Sequence, residues 1–306
     1  MKKLYDGIII GGGPAGLSAA IYLARAKYRV LVIEKEKMGG QITITSEVVN
    51  YPGVPETDGK GLTENMRQQA EFFGAEFMMA EVKELNPDGD IKKVVTDKGT
   101  FETLGIVLAT GASPRKIGFE GEIKYQGRGV AYCATCDGAF FKKKTAAVVG
   151  GGDVAIEDAI FLARICEKVY LIHRRNELRG AKSLQKKLME MENVEILWDT
   201  VADSINGENK VESLSLTNKK TGEKREIPVD GVFIAVGISP NTEGLEDLVA
   251  MDGGHYILAG EDGKTSQPGI FAAGDVRTKN LRQIVTAVAD GANCVTSAER
   301  YLNGQQ

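Results

Sequence analysis

Short, almost wholly apolar runs alternate along this chain with stretches whose apolar residues recur at helical spacing. "YDGIIIGGG" opens the first such unit, Leu17, Ile21 and Leu23 follow at helical positions in "PAGLSAAIYLARAKY", and the β-branched run "VLVIE" closes it. The pattern predicts strand, helix and strand in turn. The same layout returns in "KTAAVVGGGDVAIEDAIFLARICEKVYLIHRR", with Ile156, Ile160 and Leu162 at helical spacing. A second repeated element follows each copy. "LGIVLATGASP" and "DGVFIAVGISPN" read as late strands, ended by turns in which Pro114 and Pro240 bar a simple continuation. Between copy and late strand, residues 77–103 and 194–230 carry the turn signals "NPDGD" and "NGENK" and predict β-meanders. The last stretch matches neither copy. Its apolar strand, Ile270 to Ala273, ends at Gly274-Asp275, and a helix of about 20 residues is predicted from near Arg282.

Each copy's first strand ends in three glycines, Gly11 to Gly13 and Gly150 to Gly152, and the separation from Gly11 to Glu34 equals that from Gly150 to His173. In a strand–turn–helix–strand context these glycines have distinct tasks. The first permits a tight turn, the second lets a pyrophosphate reach the backbone, and the third keeps helix and strand close. Gly16 fills the third position in one copy and Ala155 in the other, both small. Phosphates would then meet helix N–H groups and the positive end of the helix dipole. The repetition predicts two dinucleotide sites.

The two sites differ in charge. Glu34, at the end of "VLVIE", can accept hydrogen bonds from both ribose hydroxyls of an adenosine. The matching position holds His173, followed by Arg174, Arg175 and Arg179. Guanidinium groups there would attract a 2′-phosphate that an acid would repel, so the second site reads as one for NADPH. The first fits an adenosine without a 2′-phosphate, as in FAD. Asp275, at a strand end, is placed either to accept from cofactor hydroxyls or to cap a loop.

Cys133 and Cys136 form a CxxC pair just upstream of the second glycine cluster. A zinc site needs about four ligands, and the chain offers four cysteines in all and two histidines. No metal is expected, and the pair reads as a reversible dithiol–disulfide. Asp137 follows Cys136 directly, as a local proton donor or acceptor or as part of an Asp-Gly turn. Cys166 and Cys294 lie in helical patterns and read as buried, inert thiols. NADPH, a flavin and a dithiol would make a chain of two-electron carriers.

Composition narrows the class further. At 306 residues, with 37 glycines and a formal charge of −4 spread along the chain, nothing marks a nucleic-acid or anionic-membrane surface. No run approaches about 18 apolar residues, so no transmembrane helix is expected. The cysteine usage suits a reducing cytoplasm.

With "GGGPAG", "CATCD", "GGGDVA", "HRRNELR" and "FAAGDV" in this order, essentially the whole chain resembles the low-molecular-weight, bacterial-type thioredoxin reductases. The resemblance implies an α/β fold of two Rossmann-like three-layer ββα dinucleotide-binding domains, one inserted in the other. An FAD domain of residues 1–115 and 246–306 would enclose an NADPH domain of residues 116–245, and the molecule would be a homodimer. It places Gly11, Gly13, Pro14, Ala15 and Gly16 at the FAD phosphates and Glu34 near the adenosine. Gly40, Gln41 and Asn50 would lie nearer the flavin, Asp275 at the ribitol, and Arg282, Gln283 and Ile284 beside the flavin ring. Gly151, Gly152, Asp153, Val154 and Ala155 would meet the NADPH pyrophosphate, with His173, Arg174, Arg175 and Arg179 at the 2′-phosphate end. Cys136 would face the flavin, Cys133 would attack the thioredoxin disulfide, and Asp137 would be the acid–base group. Connectors near "ASPRKIGFEG" and "ISPNTEG" would act as hinges. Close relatives that use another electron donor, or reduce a glutaredoxin-like protein or a peroxiredoxin, are the alternatives. A nucleotide-binding sensor with a regulatory disulfide is the non-enzymatic one.

Overall fold

Both repeats fold as βαβ units whose two strands lie side by side and parallel in a larger sheet. The structure is a computed structural model that describes residues 3–45 and 47–304. The chain begins with β1 (Leu4–Ile10), α1 (Pro14–Arg25), β2 (Val30–Glu34), α2 (Gly59–Phe72) and β3 (Glu76–Met79). A meander of β4 (Val82–Asn86), β5 (Lys92–Thr96) and the long β6 (Gly99–Leu108) follows, and β7 (Ala112–Pro114) leads out. The next stretch carries β8 (Val130–Ala131), the short α3 (Ala134–Asp137), β9 (Thr145–Gly150), α4 (Asp153–Ala163), β10 (Lys168–Ile172), α5 (Lys182–Met189) and β11 (Val194–Leu197). It continues through β12 (Thr200–Asn206), β13 (Ser213–Asn218) and β14 (Lys224–Pro228) to β15 (Gly231–Ala235). β16 (Ile238–Pro240) returns the chain, which closes with β17 (Ile270–Ala272) and α6 (Ile284–Leu302).

Contacts divide the chain into two units. One runs up to Ser113 and resumes at Ser239; the other is Pro114–Ile238. The second crossing therefore lies some residues before the expected 245/246, because β16, directly after Gly237, pairs with β7.

In the discontinuous unit the sheet order is β3-β2-β1-β6-β5-β4, with β17 also on β6. The length of β6 makes this possible. Its first half pairs antiparallel with β5, from Gly99 to Thr103, and its second half pairs parallel with β17, from Ile106 to Leu108. The apolar residues of β1 and β2 are buried on both faces, as parallel strands between layers require. One face is covered by α1 and α6, which cross at small residues. A Cβ on Gly291 would lie 2.2 Å from the Ala15 carbonyl oxygen and 2.8 Å from Ser18 Cβ. The Ser18 hydroxyl donates to the Val288 carbonyl at 2.7 Å across the same crossing.

The inserted unit has the parallel order β11-β10-β9-β15-β8 and a separate antiparallel sheet, β12-β13-β14. Ile156, Ala159, Ile160 and Ala163 bury one side of α4 with Val148, Leu171 and Phe233 of this sheet. Cys166 and Cys294 are both buried free thiols, and burial pushes them up to about 11 and about 12.

Gly291→Val is expected to force α6 off α1. It should destabilise the discontinuous unit by about 2 kcal/mol or more, read as a loss of several degrees in thermal midpoint.

Candidate active site: two glycine turns and a disulfide

The first glycine turn is shaped by atoms that leave no room for a side chain. Gly11 has φ of 110°, and a Cβ on it would lie 2.2 Å from the Ala109 carbonyl oxygen beyond the end of β6. On Gly16 it would lie 1.9 Å from the Gly11 carbonyl oxygen. Gly13 caps α1 in an extended conformation with no side-chain hydrogen bond to the helix end, and Pro14 begins the helix. A Cβ on Gly13 would meet nothing closer than Gly40 Cα at 3.9 Å. The "MGGQ" turn lies alongside, tied by Gly39 N–H to the Gly12 carbonyl at 2.8 Å, with Gln41 exposed on a 3-10 turn. Glu34 braces the turn from the end of β2. One carboxylate oxygen accepts from Gly12 N–H at 2.7 Å, the other from Glu36 N–H at 2.9 Å.

Strand β17 brings Asp275 to the same sheet edge. A Cβ on the preceding Gly274 would lie 2.7 Å from Ala15 Cβ, so this turn abuts the start of α1. Among the described residues, Asp275 Oδ1 is a buried side-chain oxygen with no hydrogen-bond partner. Burial pushes this carboxyl above its ordinary range, against the opposing pull of Lys279 and Arg282. The Arg282 guanidinium stacks 4.1 Å above the Tyr256 ring, and its Nε approaches the Asp275 carbonyl at 3.5 Å. Gln283 caps α6 through a capping box with Thr286, and Ile284 opens the helix. Asn50 Nδ2 donates to Gln283 Oε1 at 3.1 Å, which joins the exposed 49–55 loop to this helix start. These residues fit a flavin dinucleotide. A backbone cradle and an uncapped helix end suit its phosphates, and an orphaned acceptor suits a polyol hydroxyl.

The inserted unit repeats the turn with one change. A Cβ on Gly150 would lie 2.4 Å from the Ala235 carbonyl oxygen, the counterpart of Ala109. One on Gly152 would meet nothing within 4 Å, and Gly152 caps α4 with no side-chain bond. Ala155 stands buried where the other copy needs glycine, and Val154 is exposed. Asp153 turns its carboxylate to the Ala181 N–H at 2.7 Å, and Arg179 N–H donates to the Gly151 carbonyl at 2.8 Å. The arginine loop is thus bound to the glycine turn. His173 lies beneath both, 4% exposed. Its Nδ1 lies 2.9 Å from the Gly150 carbonyl and its Nε2 2.8 Å from that of Glu177. Both ring nitrogens are therefore occupied by backbone, and the ring acts as a support. Arg174, Arg175 and Arg179 are exposed, and none forms an ion pair among the described residues. Three unpaired guanidiniums at a strand end, with an open glycine turn beside them, suit a phosphorylated dinucleotide.

Cys133 and Cys136 are joined as a disulfide, Cα atoms 5.3 Å apart, with Cys133 at the N-terminus of α3. The turn rests on α4, since a Cβ on Gly138 would lie 2.9 Å from the Phe161 ring and 3.1 Å from Leu162. Burial pushes the Asp137 carboxyl up to about 6. Asp158, on α4, is pushed to about 7, again by burial, with the Ala134 backbone opposing and Glu157 adding. Glu122 was not legible as a site residue. It is 1% exposed and accepts from Gly118 N–H at 2.6 Å and the Tyr132 hydroxyl at 2.9 Å. It thereby ties residues 117–118 to the residue before Cys133, and burial together with Glu122 drives the Tyr132 phenol well above its usual range.

The family model of pyridine nucleotide-disulphide oxidoreductases matches residues 5–291. A thioredoxin reductase of Peptoclostridium acidaminophilum is 45% identical over 309 residues, covering 99% of this chain and 98% of its own. The crystal structure of thioredoxin reductase from Streptococcus pyogenes MGAS5005 superposes with a TM-score of 0.95 at 42% identity, over 99% of this chain and 100% of that one. The solved structure of thioredoxin reductase from Giardia duodenalis gives 0.92 at 36% identity, over 99% of this chain and 100% of that one.

A carboxyl raised by burial stabilises the fold while protonated and loses that contribution as pH rises through its folded value. For Asp137 the loss falls between about pH 4 and 6. Asp137→Asn should therefore gain about 2 kcal/mol on the native protein between pH 4 and pH 8, measured by denaturant unfolding at the two values.

Proposed function

This chain belongs to the pyridine nucleotide-disulphide oxidoreductases, among the low-molecular-weight thioredoxin reductases, and from that premise we propose how its own residues divide the work. The enzyme is an NADPH-dependent flavoprotein that passes electrons through FAD and a redox disulfide to thioredoxin. Bound flavin supplies the one conversion that side chains cannot, turning a hydride into the electron pair that reduces a disulfide.

In the discontinuous unit, the backbone of residues 11–16 holds the FAD pyrophosphate and Glu34 accepts from the adenosine ribose, each carboxylate oxygen having a lone pair beyond its backbone bond. Asp275 accepts from the ribityl chain. Gly40, Gln41, Asn50, Arg282, Gln283 and Ile284 line the flavin. In the inserted unit, residues 151–155 hold the NADPH pyrophosphate and Arg174, Arg175 and Arg179 take the 2′-phosphate, with His173 holding their loop against the glycine turn. The observation that carries this assignment is the sharing of one unit by the Cys133–Cys136 disulfide and the arginine-bearing glycine turn. That unit carries both the reductant and the disulfide to be reduced, so the connectors at Ala112–Pro114 and Ile238–Pro240 serve as hinges.

In the reduced pair, the Cys133 thiolate attacks one sulfur of the thioredoxin disulfide. A mixed disulfide forms and the other thioredoxin sulfur leaves as a thiolate. Cys136 then attacks Cys133, closing the enzyme disulfide and releasing the second thioredoxin sulfur. Two electrons and two protons pass from enzyme to thioredoxin, and Asp137 takes and returns a proton beside Cys136. The exposed Tyr22, Ile44, Val49, Leu281 and Val285 of the discontinuous unit support a homodimer. No described helix is long and apolar enough to cross a membrane, and the two buried free thiols support a cytoplasmic setting.

Cys136→Ser is expected to abolish thioredoxin reduction while NADPH still bleaches the flavin absorbance; a flavin that NADPH no longer reduces would overturn the order of transfer. Arg175→Ala should raise KM for NADPH by about tenfold, the size of one lost charge-assisted bond, with little change for NADH. An equal rise for both would remove Arg175 from the 2′-phosphate.

A further inference from the structure

The apolar face of α6 contains an acid. Asp290 is 5% exposed and lies one turn from Ala287 and Cys294, on the side of the helix that packs into the core. Four donors reach it. Its Oδ2 accepts from Gly274 N–H at 3.0 Å, Arg277 Nε at 2.9 Å and Lys279 Nζ at 2.8 Å, and its Oδ1 from Arg277 Nη2 at 2.6 Å. Arg277 spends its remaining nitrogen on the Ala259 and Thr278 carbonyls, at 3.2 and 2.9 Å. All three residues bound by Asp290 belong to residues 274–279, the turn that carries Asp275. Burial pushes the Asp290 carboxyl up, but Arg277 and Lys279 outweigh it and hold the group below its usual range.

A buried ion cluster is often no more stabilising than apolar residues of the same volume, but removing one member leaves the others buried and unmatched, so the geometry of the cluster is what matters. The geometry here is unequal. Lys279 Nζ sits 2.8 Å from Asp290 but 3.9 Å from Asp275 Oδ1, outside hydrogen-bond reach. That same Oδ1 is the buried oxygen without a partner. Lys279 is 6% exposed at its side chain and cannot turn to water, so its ammonium must take one carboxylate or the other.

We propose that Asp290 is a positioning residue for the flavin site: it holds residues 274–279 in shape and draws Lys279 away from Asp275, keeping an Asp275 oxygen available for a cofactor hydroxyl. Without the Asp290 charge, Lys279 moves onto Asp275 and fills the acceptor that the ribityl chain requires. The inference rests on the assignment of Asp275 to the FAD site. It adds a residue that never touches the cofactor, and a lysine whose effect on binding is adverse.

The test follows FAD release from the holoenzyme by recovery of free-flavin fluorescence, with KM for NADPH as a control on the other unit. Asp290→Asn should weaken FAD binding by about ten- to a hundredfold, the cost of leaving buried donors unmatched, with KM for NADPH unchanged. Lys279→Met in the Asp290→Asn background should restore binding to within about threefold of native. A merely structural Asp290 would give no such rescue, and its absence would overturn the proposal. Native FAD affinity in Asp290→Asn would overturn it too. Lys279→Met alone should bind FAD at least as tightly as the native enzyme, and weaker binding there sinks the idea even if Asp290→Asn does not fold. Asp275→Ala separates the two readings. If it weakens FAD while Asp290→Asn does not, this inference alone fails; if it has no effect, the placement of Asp275 at the flavin fails with it.

Discussion

A carbonyl oxygen occupies the place where the first glycine of each turn would carry a side chain: that of Ala109 for Gly11, and that of Ala235 for Gly150. The rest of the site follows from this close approach. It forces the chain to reverse at the carboxyl edge of the sheet, directly after the strand. The next helix then begins over that edge with its first N–H groups uncapped by side chains, as both α1 and α4 do. The end of the adjacent strand falls beside the turn, which is why Glu34 and His173 occupy matching positions despite opposite chemistry. Glu34 reaches the turn through Gly12 N–H, and His173 reaches it through the Gly150 carbonyl. One backbone constraint thus shapes both glycine turns, and the strand-end side chains set the difference between them.

The buried carboxylates fall into two groups. Glu122 and Asp290 are matched by donors on both oxygens and act as fixed points, one behind the residue preceding Cys133 and the other behind Asp275. Asp137 and Asp275 are pushed up by burial without comparable compensation. A poorly compensated buried acid is costly unless a reaction or a ligand uses it. Each unit thus holds both kinds, a matched acid that fixes shape and a raised acid whose charge its surroundings do not offset.

Much of this was legible from sequence because the signals are local. The glycine turns, the helical spacing of α1 and α4, and the CxxC each lie within a few residues, and backbone sterics dictate their form. The acid or arginines at the strand ends could be compared because the repeat aligns them. Asp290 and Glu122 were not legible. A lone acid in a helix or turn reads as solvated, and only tertiary packing buries it. Asp290 did carry a faint signal, since it shares a helix face with Ala287, Gly291 and Cys294. The role of His173 was half visible. Its position was clear, but its ring packs against Gly151, where a Cβ would lie 2.0 Å from Nδ1, a closeness that no sequence spacing encodes. The second crossing between units has no local signal, because the pairing of β16 with β7 joins residues far apart along the chain.

The division of β6 between two partners bears on the order in which the protein assembles. Its first half can pair with β5 as soon as both leave the ribosome, but its second half must wait for Ile270–Ala272. α1 likewise waits for α6, whose Gly291 closes against Ala15. The inserted unit is continuous in sequence and meets no such delay. During synthesis, which adds about 5–20 residues per second, the inserted unit is therefore complete while the sheet of the discontinuous unit still has an open edge. The nascent chain gains its disulfide-bearing unit first, and the sheet behind the first glycine turn closes only near the end of translation.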